Sequence, residues 1–498
     1  MARRASSQKI EFGDWQTPHA LAKEVVELLA REFPAPAAVV EPTCGLGAFL
    51  CAAHERWPAA TLLGFDVNPA YAAKARAALG EKALIEQADF FSKPWEPALA
   101  ALPRPLLILG NPPWVTASEL GVLGAANLPK KNNFKGLRGL DAITGKSNFD
   151  VSEWMLLRLL AASPNHGCIV AMLCKTAVAR KMLQHCAKHR LHVHGQLRSF
   201  DSKTHFNASV DAVLLIMDIG RKPERDDEME WPMFAHIADR HHTSRLGLVE
   251  GILTGDTEAF KRTIRFAGSS KPEWRSGLKH DCASVMELTL ENGVLRNCQG
   301  ETVGIEPDLV FPLLKGSDVA NGRLATNRRV LVPQRTLGQD TSHIRENQPR
   351  TWAYLNAHSA AMAARKSAIY QGQPSFSVFG VGDYTFSAWK VAICGLYKKL
   401  AFQLVGPLDG KPVIVDDTCY FLPFATRREA QRALSALTSN EASEFFESRI
   451  FWDCKRPISK SVLQALDWAV VGLEAGLPSH GEAPTRGELQ LSLRFPTK

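Results

Sequence analysis

The most chemically specific residues of this chain follow the apolar run 106–109 and are consecutive: Asn111, Pro112, Pro113 and Trp114. Two prolines stiffen the backbone and remove two donors, so the Asn111 amide oxygen and the Pro112 carbonyl oxygen can face one cleft. Such oxygens can accept both hydrogens of an aromatic amine and stabilise the charge that grows on its nitrogen during attack on a sulfonium methyl group. Trp114 can stack on the target ring. The segment predicts methyl transfer to an aromatic amine; the alternative is that Asn-Pro-Pro is only a structural turn.

A glycine-rich segment lies upstream, between a predicted strand and a predicted helix, and contains Glu41, Pro42, Thr43, Cys44, Gly45 and Gly47. A backbone without Cβ atoms lets a ligand approach the carboxyl edge of a sheet. Asp66 ends the next predicted strand, where a carboxylate can accept both ribose hydroxyls of a cofactor. Gly-x-Gly alone occurs in many tight turns, but the acid at this offset predicts a nucleoside-containing cofactor.

A second acid, Asp89, ends the third predicted strand and precedes Phe90. Its carboxylate can accept from the exocyclic amino group of the cofactor base, and Phe90 can pack on the face of that base. The alternative is a helix N-cap followed by core aromatic residues. The order of the motifs favours the cofactor interpretation.

These residues require a sheet that gathers strand ends at one edge. Apolar segments alternate with amphipathic helices from about residue 16 to residue 217. A helix is predicted over 19–31, and strands are predicted over 37–40, 61–65, 82–86, 106–109, 168–173 and 210–217. This alternation is typical of a doubly wound, mostly parallel α/β sheet with helices on both faces.

The remaining chain suggests further domains, because 498 residues exceed the size of one core. Residues 1–220 form the predicted catalytic domain, and the polar segment 221–230 is a predicted linker. Residues 231–477 lose the alternation and are predicted to form a mixed α+β domain. Residues 478–498 are a predicted tail.

Composition narrows the function only slightly. A net charge of +8 favours a polyanionic partner. The ten cysteines form no Cys-x-x-Cys pair and no zinc pattern, which indicates free thiols, and His236, His241 and His242 are too loosely arranged for a metal site. No segment reaches the ~18 apolar residues of a membrane span. We therefore expect a cytoplasmic protein without a metal.

The order of the motifs resembles the class γ amino-methyltransferases of restriction-modification systems, in particular the TaqI-like adenine-N6 DNA enzymes. The resemblance runs from Gln16 to Trp114 and includes the segment 14–18. It implies S-adenosylmethionine as the cofactor, with Thr17 and Pro18 near its methionine part. The implied cofactor-binding set is Thr17, Pro18, Glu41, Pro42, Thr43, Cys44, Gly45, Gly47, Asp66, Asp89, Phe90 and Asn111. Without the resemblance, Thr17 and Pro18 are a helix start with Thr17 as the cap.

The resemblance continues downstream of the turn. Segment 146–151 resembles the family segment that lines the cofactor pocket, which points to Asn148 and Asp150, and 167–173 followed by Lys175 fits the next family strand. Phe206 falls where family members place a second aromatic residue against the extruded base, although a single Phe before a strand is more often a core residue.

A basic segment follows the catalytic turn and carries one acid, Asp141, among five cations: Lys130, Lys131, Lys135, Arg138 and Lys146. A base inside a duplex must leave the stack before its amino group can be methylated. The segment therefore predicts a loop that contacts the phosphates of double-stranded DNA. The alternative is a solvated basic loop.

The C-terminal region resembles target-recognition regions at 311–319, at 377–386 with Trp389 and Lys390, and at 455–458. We expect it to read the DNA sequence. The predicted DNA contacts there are Lys315, Arg335 and Lys390, with Arg328 and Arg329 as further candidates. An exposed arginine is more often only a solvated charge.

The predicted function is sequence-specific adenine-N6 methylation of DNA, as the modification part of a restriction-modification or defence system. Cytosine-N4 enzymes usually carry Ser, Thr or Asp in place of Asn111, and RNA and protein-glutamine methyltransferases tend to carry Tyr in place of Trp114; these enzymes remain alternatives. A DNA-binding module with a vestigial pocket is disfavoured because the motif residues are present. No Glu-x-Lys occurs after residue 220, so we expect any nuclease to be a separate protein.

Overall fold

The computed structural model describes residues 15–115, 150–220, 229–269 and 271–474. The predicted basic loop from Lys130 to Lys146, Asn148, the tail 478–498 and residues 221–228 of the predicted linker lie outside the described residues. The chain divides into two compact units, Met1–Glu258 and Ala259–Lys498.

The first unit is built on one sheet with ten strands: β1 Ala38–Glu41, β2 Thr61–Asp66, β3 Leu84–Gln87, β4 Leu106–Gly110, β5 Cys168–Lys175, β6 Val193–Phe200, β7 Ala212–Ile219, β8 Glu230–Phe234, β9 Ser244–Val249 and β10 Ile252–Thr254. Their order is β10-β9-β8-β6-β7-β5-β4-β1-β2-β3. Strands β1 to β5 pair in parallel with one another, whereas β7 runs antiparallel to β5 and β6.

In the described part of this unit, seven helices accompany the sheet: α1 His19–Glu32, α2 Ala48–Arg56, α3 Pro69–Leu79, α4 Trp95–Ala100, α5 Val151–Ala162, α6 Thr176–Lys188 and α7 Ser202–Phe206, with a short 3₁₀ helix at Gly80–Lys82. Every residue of β4 is buried, as expected for a parallel strand covered on both faces. In α1, Leu21, Val25 and Leu28 share one buried face because they are spaced at helical intervals. The doubly wound α/β prediction is confirmed.

Strand β6 is absent from the sequence prediction. Its sequence mixes apolar residues with Gln196, Arg198 and other polar residues, so it lacks the apolar run of a buried strand. The polar atoms are nevertheless satisfied, because the buried Arg198 pairs with Glu32 and donates to the carbonyl oxygens of Ile237 and Asp239, at 2.8 and 2.7 Å. Burial of a paired guanidinium is a tertiary outcome that periodicity does not reveal.

The division between the units differs from the predicted boundary at 221–230. Strands β8 to β10 lie beyond that polar segment, yet β8 pairs in parallel with β6 through Leu197 and Met233 and so continues the first sheet. A polar segment marks an exposed connection, and such a connection also joins two strands of one sheet.

The described residues of the second unit form two sheets. Their strands are β11 Arg275–Ser276, β12 Glu287–Glu291, β13 Val294–Asn297, β14 Val310–Leu314, β15 Arg328–Leu331, β16 Trp389–Cys394, β17 Gln403–Val405, β18 Ile414–Val415 and β19 Cys419–Phe424. One sheet has the order β11-β19-β16-β17 and the other β13-β12-β15-β14-β18.

Short helices connect these strands: α8 Thr257–Thr263, which spans the division, α9 Ala283–Met286, α10 Gly316–Ala320, α11 Ile344–Asn347, α12 Pro349–Ala357, α13 Ser359–Ala363, α14 Arg427–Leu437, α15 Asn440–Arg449, α16 Lys460–Gln464 and α17 Trp468–Glu474. The 3₁₀ helices are Ile264–Phe266, Pro307–Leu309, Ala368–Tyr370 and Asp383–Phe386. The predicted mixed α+β architecture is confirmed.

All ten cysteines are free thiols. Within the described ranges, no helix has the length and apolar content to cross a membrane, and no cluster of three or more His, Cys, Asp or Glu side chains could hold a metal ion.

Candidate active site

A pocket opens where β1, β2 and β4 end, and most of the predicted cofactor residues line it: Thr17, Glu41, Pro42, Thr43, Cys44, Gly45, Asp66, Asp89, Phe90 and Asn111. Pro113 lines it as well, together with residues that sequence reasoning did not select, among them Trp15, Gln16, Asn68, Tyr71 and Met155. The carboxyl ends of neighbouring parallel strands meet at this edge, which explains why residues far apart in sequence converge here.

The glycine turn between β1 and α2 forms the floor of the pocket. Gly45 has φ +51°, a left-handed conformation, and a Cβ at this position would lie 2.5 Å from Oε1 of Gln16. That oxygen accepts a hydrogen bond from the Leu46 amide at 3.0 Å. Gly47 has φ +84° and precedes α2, and a Cβ there would lie 3.2 Å from Leu79. Gly45 therefore shapes the pocket, while Gly47 permits close packing behind it.

Asp66, at the end of β2, organises the same turn. Its Oδ2 accepts from the Gly45 amide and its Oδ1 from the Asn68 amide, both at 2.8 Å. A carboxylate has about four lone-pair directions, so two backbone bonds do not exhaust its capacity to accept further hydroxyl donors. Asn68 in turn caps α3, with its Oδ1 accepting from the Ala70 amide. The Asn68-Pro69 pair is a helix-start signature that could have revealed this neighbour.

Glu41, the last residue of β1, is buried at the pocket wall. Burial raises the pKa of its carboxyl group well above the ordinary range, and the charge of Asp66 adds to the effect. Among the described residues, no group donates a hydrogen bond to its Oε2 atom. A buried carboxyl oxygen without a partner is costly and indicates a ligand group that donates to it.

The Asn111 side chain has one end fixed and one end open. Its Nδ2 donates to the carbonyl oxygen of Trp15 at 2.9 Å, which orients the amide. Its Oδ1 is buried and has no hydrogen-bond donor within the part of the chain that is described. The Thr43 hydroxyl approaches the backbone carbonyl of Asn111 at 3.5 Å and ties the turn to the glycine segment. An oriented amide oxygen of this kind can accept a hydrogen from a substrate amine.

Trp114 and Phe206 come together, as the resemblance implied. Their ring centroids are 5.3 Å apart and nearly perpendicular, and Phe200 lies 6.3 Å from Trp114. Trp114 is only 5% exposed, and its indole Nε1 donates to the carbonyl oxygen of Leu173 at 3.2 Å. Neither ring lines the cofactor pocket. Contact of either ring with a target base stays a prediction.

Asp89 lines the pocket but does not cap a helix, since the next helix, α4, begins at Trp95 with Pro94 as its N-cap. Its Oδ1 accepts from the Phe91 amide at 3.0 Å, as a turn-capping residue does, and the residue also lines the pocket. Phe90 is buried against Trp95, with centroids 5.0 Å apart, and also reaches the pocket. The helix N-cap interpretation is therefore wrong, while contact of Asp89 and Phe90 with a cofactor stays a prediction.

The N-terminal prediction needs one correction. Thr17 lines the pocket, but it is not the cap of α1: Pro18 occupies the N-cap position, and no side chain caps the helix there. Pro18 instead accepts the Ala22 amide through its carbonyl oxygen at 3.1 Å and does not line the pocket. The interpretation of Thr17 as a cap is wrong because the helix begins one residue later.

The predicted DNA contacts of the second unit are in differing environments. Lys390 needs correction: it is 1% exposed, burial lowers its pKa to about 7, and its Nζ donates to the Ser387 carbonyl oxygen at 2.7 Å. A side chain buried in this way does not reach a phosphate. Lys315 pairs with Glu287 at 2.7 Å and Asp416 at 3.6 Å. Arg335 is exposed, and its guanidinium lies over the Phe386 ring at 4.2 Å.

Comparisons with known proteins add independent findings. The chain is 43% identical to the type II methyltransferase M.NspV of Nostoc sp. over 482 residues, which is 95% of this chain and 99% of that protein. It is 30% identical to the type II methyltransferase M.XamI of Xanthomonas campestris pv. amaranthicola over 106 residues, 21% of this chain and 20% of that protein. No protein-family model matches.

Solved structures align with part of this chain. A modification subunit of a putative type I restriction enzyme from Vibrio vulnificus aligns with a TM-score of 0.30 and 15% identity, covering 46% of this chain and 49% of that one. The plantazolicin methyltransferase BpumL, in complex with SAH, aligns with a TM-score of 0.29 and 12% identity, covering 44% of this chain and 90% of that one.

Proposed function

The chain belongs to the type II methyltransferases of restriction-modification systems, and from that premise we propose that it methylates the N6 amino group of adenine in double-stranded DNA. As a member of this family it is a DNA methyltransferase that uses S-adenosylmethionine. The adenine target, the residues that act on it and the division of labour between the two units are the proposed parts.

One observation carries the proposal: the open Oδ1 atom of Asn111. The amide is oriented by Trp15, and its oxygen is buried at the pocket without a donor among the described residues. Together with the Pro112 carbonyl oxygen, it would accept both hydrogens of the adenine amine and draw the nitrogen lone pair toward the methyl group. Acceptors placed where positive charge develops stabilise the transition state without reorganising.

The pocket residues fit the cofactor. S-adenosylmethionine supplies a methyl group on a positively charged sulfur. Asp66 would accept the ribose hydroxyls, and Asp89 and Phe90 would hold the adenine ring of the cofactor. The open Oε2 atom of Glu41 suits a donor such as the ammonium group of the methionine part.

The target base must leave the duplex to reach Asn111. Trp114 and Phe206 are the proposed aromatic walls for that base, since they form one cluster beside the turn. Lys130, Lys131, Lys135, Arg138 and Lys146 remain the proposed phosphate contacts of the first unit. The second unit is the proposed target-recognition region, with Arg335 as its exposed candidate cation, and a separate nuclease is a proposed partner.

The proposal is tested by Asn111→Ala with labelled cofactor and genomic DNA from a methylation-deficient host. We expect wild-type protein to label N6-methyladenine and the variant to lose roughly 10²–10³-fold in rate or more, with cofactor affinity nearly unchanged. The exposed Asn165→Ala, in the loop before β5, is the matched control and should keep full activity.

Three results would contradict the proposal. Label in N4-methylcytosine, or only in RNA or protein, would reassign the substrate. Loss of cofactor binding in Asn111→Ala would make the turn structural. Single-molecule sequencing of DNA from an expressing host would then report the modified base and its recognition sequence together.

A further inference from the structure

The turn from Asn111 to Val115 is held on two sides by neighbouring elements. On one side, the Trp114 indole donates to the carbonyl oxygen of Leu173 in β5 at 3.2 Å. On the other, the carbonyl oxygen of Val115 accepts the amide of Val151, the first residue of α5, at 2.9 Å. The position of the turn therefore depends on how the end of β5 and the start of α5 sit relative to each other.

An ion pair joins these same two ends. Lys175 is the last residue of β5, and its Nζ lies 2.7 Å from Oδ2 of Asp150, the N-cap of α5. The other carboxylate oxygen of Asp150 accepts from the amide and the hydroxyl of Ser152, at 3.0 and 2.6 Å. The side chains are 9% and 23% exposed for Asp150 and Lys175, so solvent screens the pair only in part.

These contacts form a closed ring: turn to β5, β5 to α5, and α5 back to the turn. We propose that Lys175 and Asp150 are positioning residues for methyl transfer, and that their ion pair fixes the turn so that the Asn111 oxygen stays aligned with the reacting amine. The inference rests on the proposed role of Asn111. A displacement of about 1 Å at a reacting centre can lower the rate on the order of 10²-fold, so an ion pair that fixes the turn can affect the rate of methyl transfer.

A second ion pair provides the matched control. Lys181, in the middle of α6, pairs with the buried Glu153 in the first turn of α5 at 2.6 Å. It therefore also joins α5 to the chain that follows β5, and it also pairs a lysine with a largely buried carboxylate. It joins α5 to a helix, whereas Lys175 joins it to the strand end that holds Trp114.

The experiment compares Lys175→Met, Asp150→Asn, Lys175→Arg and Lys181→Met by single-turnover methyl transfer, cofactor affinity and thermal unfolding. We expect Lys175→Met and Asp150→Asn to lower the transfer rate about 10–100-fold, with cofactor affinity little changed. The double variant should be no slower than the slower single variant, because both break one interaction. Lys175→Arg should recover most of the rate, and Lys181→Met should lose stability without losing rate.

A readout that does not need activity is hydrogen exchange. The peptide that contains the Val151 amide should exchange faster in Lys175→Met than in wild type, and not in Lys181→Met, because the bond to Val115 opens more often. Equal exchange in these two variants, or a transfer rate in Lys175→Met equal to that in Lys181→Met, would overturn the inference. The proposed function is tested separately, by identifying the base that wild-type protein methylates. The ratio of variant to wild-type transfer rates can be measured on whichever base the enzyme accepts, so the two tests can fail independently.

Discussion

Two polar atoms define the site at the scale of single residues. Glu41 Oε2 and Asn111 Oδ1 are buried and lack donors within the described ranges. Leaving such a group unsatisfied costs roughly 1–3 kcal/mol. The cofactor-free protein therefore carries a local instability that ligands which donate to these atoms would relieve, and this links the site's chemistry to a measurable stability.

Glu41→Gln tests this link. Burial raises the folded-state pKa of this carboxyl group, so the folded protein holds its proton more tightly than the unfolded chain does. Below the ordinary pKa, Glu41 is protonated in both the folded and the unfolded state, and it does not lower the free energy of unfolding. As the pH rises above the ordinary pKa, the unfolded state loses its proton first, so the free energy of unfolding falls until the raised folded-state pKa is passed. We expect the variant to unfold a few degrees above wild type at pH 7 without cofactor, and this gap to shrink toward pH 5.

Thermal unfolding between pH 5 and 8 measures the effect, with the exposed Glu24→Gln on α1 as control. A gap that stays constant across this range would mean that the burial of charge at Glu41 is not its source. The same variant should bind S-adenosylmethionine more weakly, because an amide oxygen is a poorer partner than a carboxylate for a cationic donor.

At the scale of elements, the conformation of the β1–α2 turn depends on the local backbone geometry of Gly45 and on a long-range contact with Gln16. The Gly-x-Gly pattern predicted a turn that a ligand can approach, and Gly45 adopts the left-handed conformation that such turns use. Its neighbour Gln16 precedes α1 and reaches the turn only through tertiary packing. The turn therefore depends on both a local and a distant constraint.

Gly45→Ala should weaken cofactor binding at least about tenfold, because a Cβ would lie 2.5 Å from Gln16 Oε1 and displace a side chain that lines the pocket. Gly251→Ala is the control: its φ is +78°, and a Cβ there would meet no atom within 4 Å. Both variants should lose about 1 kcal/mol of stability from the left-handed backbone. Equal cofactor affinity in the two variants, measured by calorimetry, would show that displacing Gln16 does not weaken cofactor binding.

The same scale shows where sequence prediction reached its limit. The six predicted strands correspond to β1–β5 and β7, because each contains adjacent apolar residues between turn residues, although in β3 only Ile85 is buried. Strand β6 was missed because the burial of Arg198 requires Glu32 and two distant carbonyl groups. Local pattern cannot report a partner that is contributed by another part of the chain.

At the scale of the whole molecule, the net charge of +8 suits a DNA partner but does not identify the residues that bind it. Lys390 shows why. The sequence offers a lysine beside an aromatic segment, whereas the fold buries it on β16 with the Ser387 carbonyl as acceptor. Lys390 therefore contributes to the net charge of the chain but is buried inside the second unit, where it is not available to a polyanionic partner.

Lys390→Met should stabilise the protein at pH 6, and the gain should narrow as the pH rises to 9. Burial lowers the folded-state pKa to about 7 from 10.5, so the unfolded chain binds the proton more tightly. Below pH 7 both states are charged and the full cost is present; between pH 7 and 10.5 the folded state loses its proton and the cost fades. A tenfold difference in proton affinity is worth about 1.4 kcal/mol, which limits the gain to a few kcal/mol.

The Ser387 carbonyl loses its donor in this variant, which offsets about 1 kcal/mol of the gain. Thermal unfolding at pH 6 and pH 9 measures the narrowing. A pH-independent difference would contradict a buried neutral amine. The DNA affinity of the variant should equal that of wild type, whereas Arg335→Ala, at an exposed position, should weaken it.

The sequence by itself determined the α/β fold of the first unit, the motif order and the resemblance to restriction-modification enzymes, which the relative from Nostoc confirms. These properties depend on local order along the chain: apolar period, glycine turns and acids at strand ends. Only the tertiary structure decided which polar atoms are left open at Asn111 and Glu41, that Lys390 is buried, and that Lys175 and Asp150 join the elements around the turn. Each of these depends on distant parts of the chain meeting, and packing, unlike local pattern, determines which groups lose water and which find a partner.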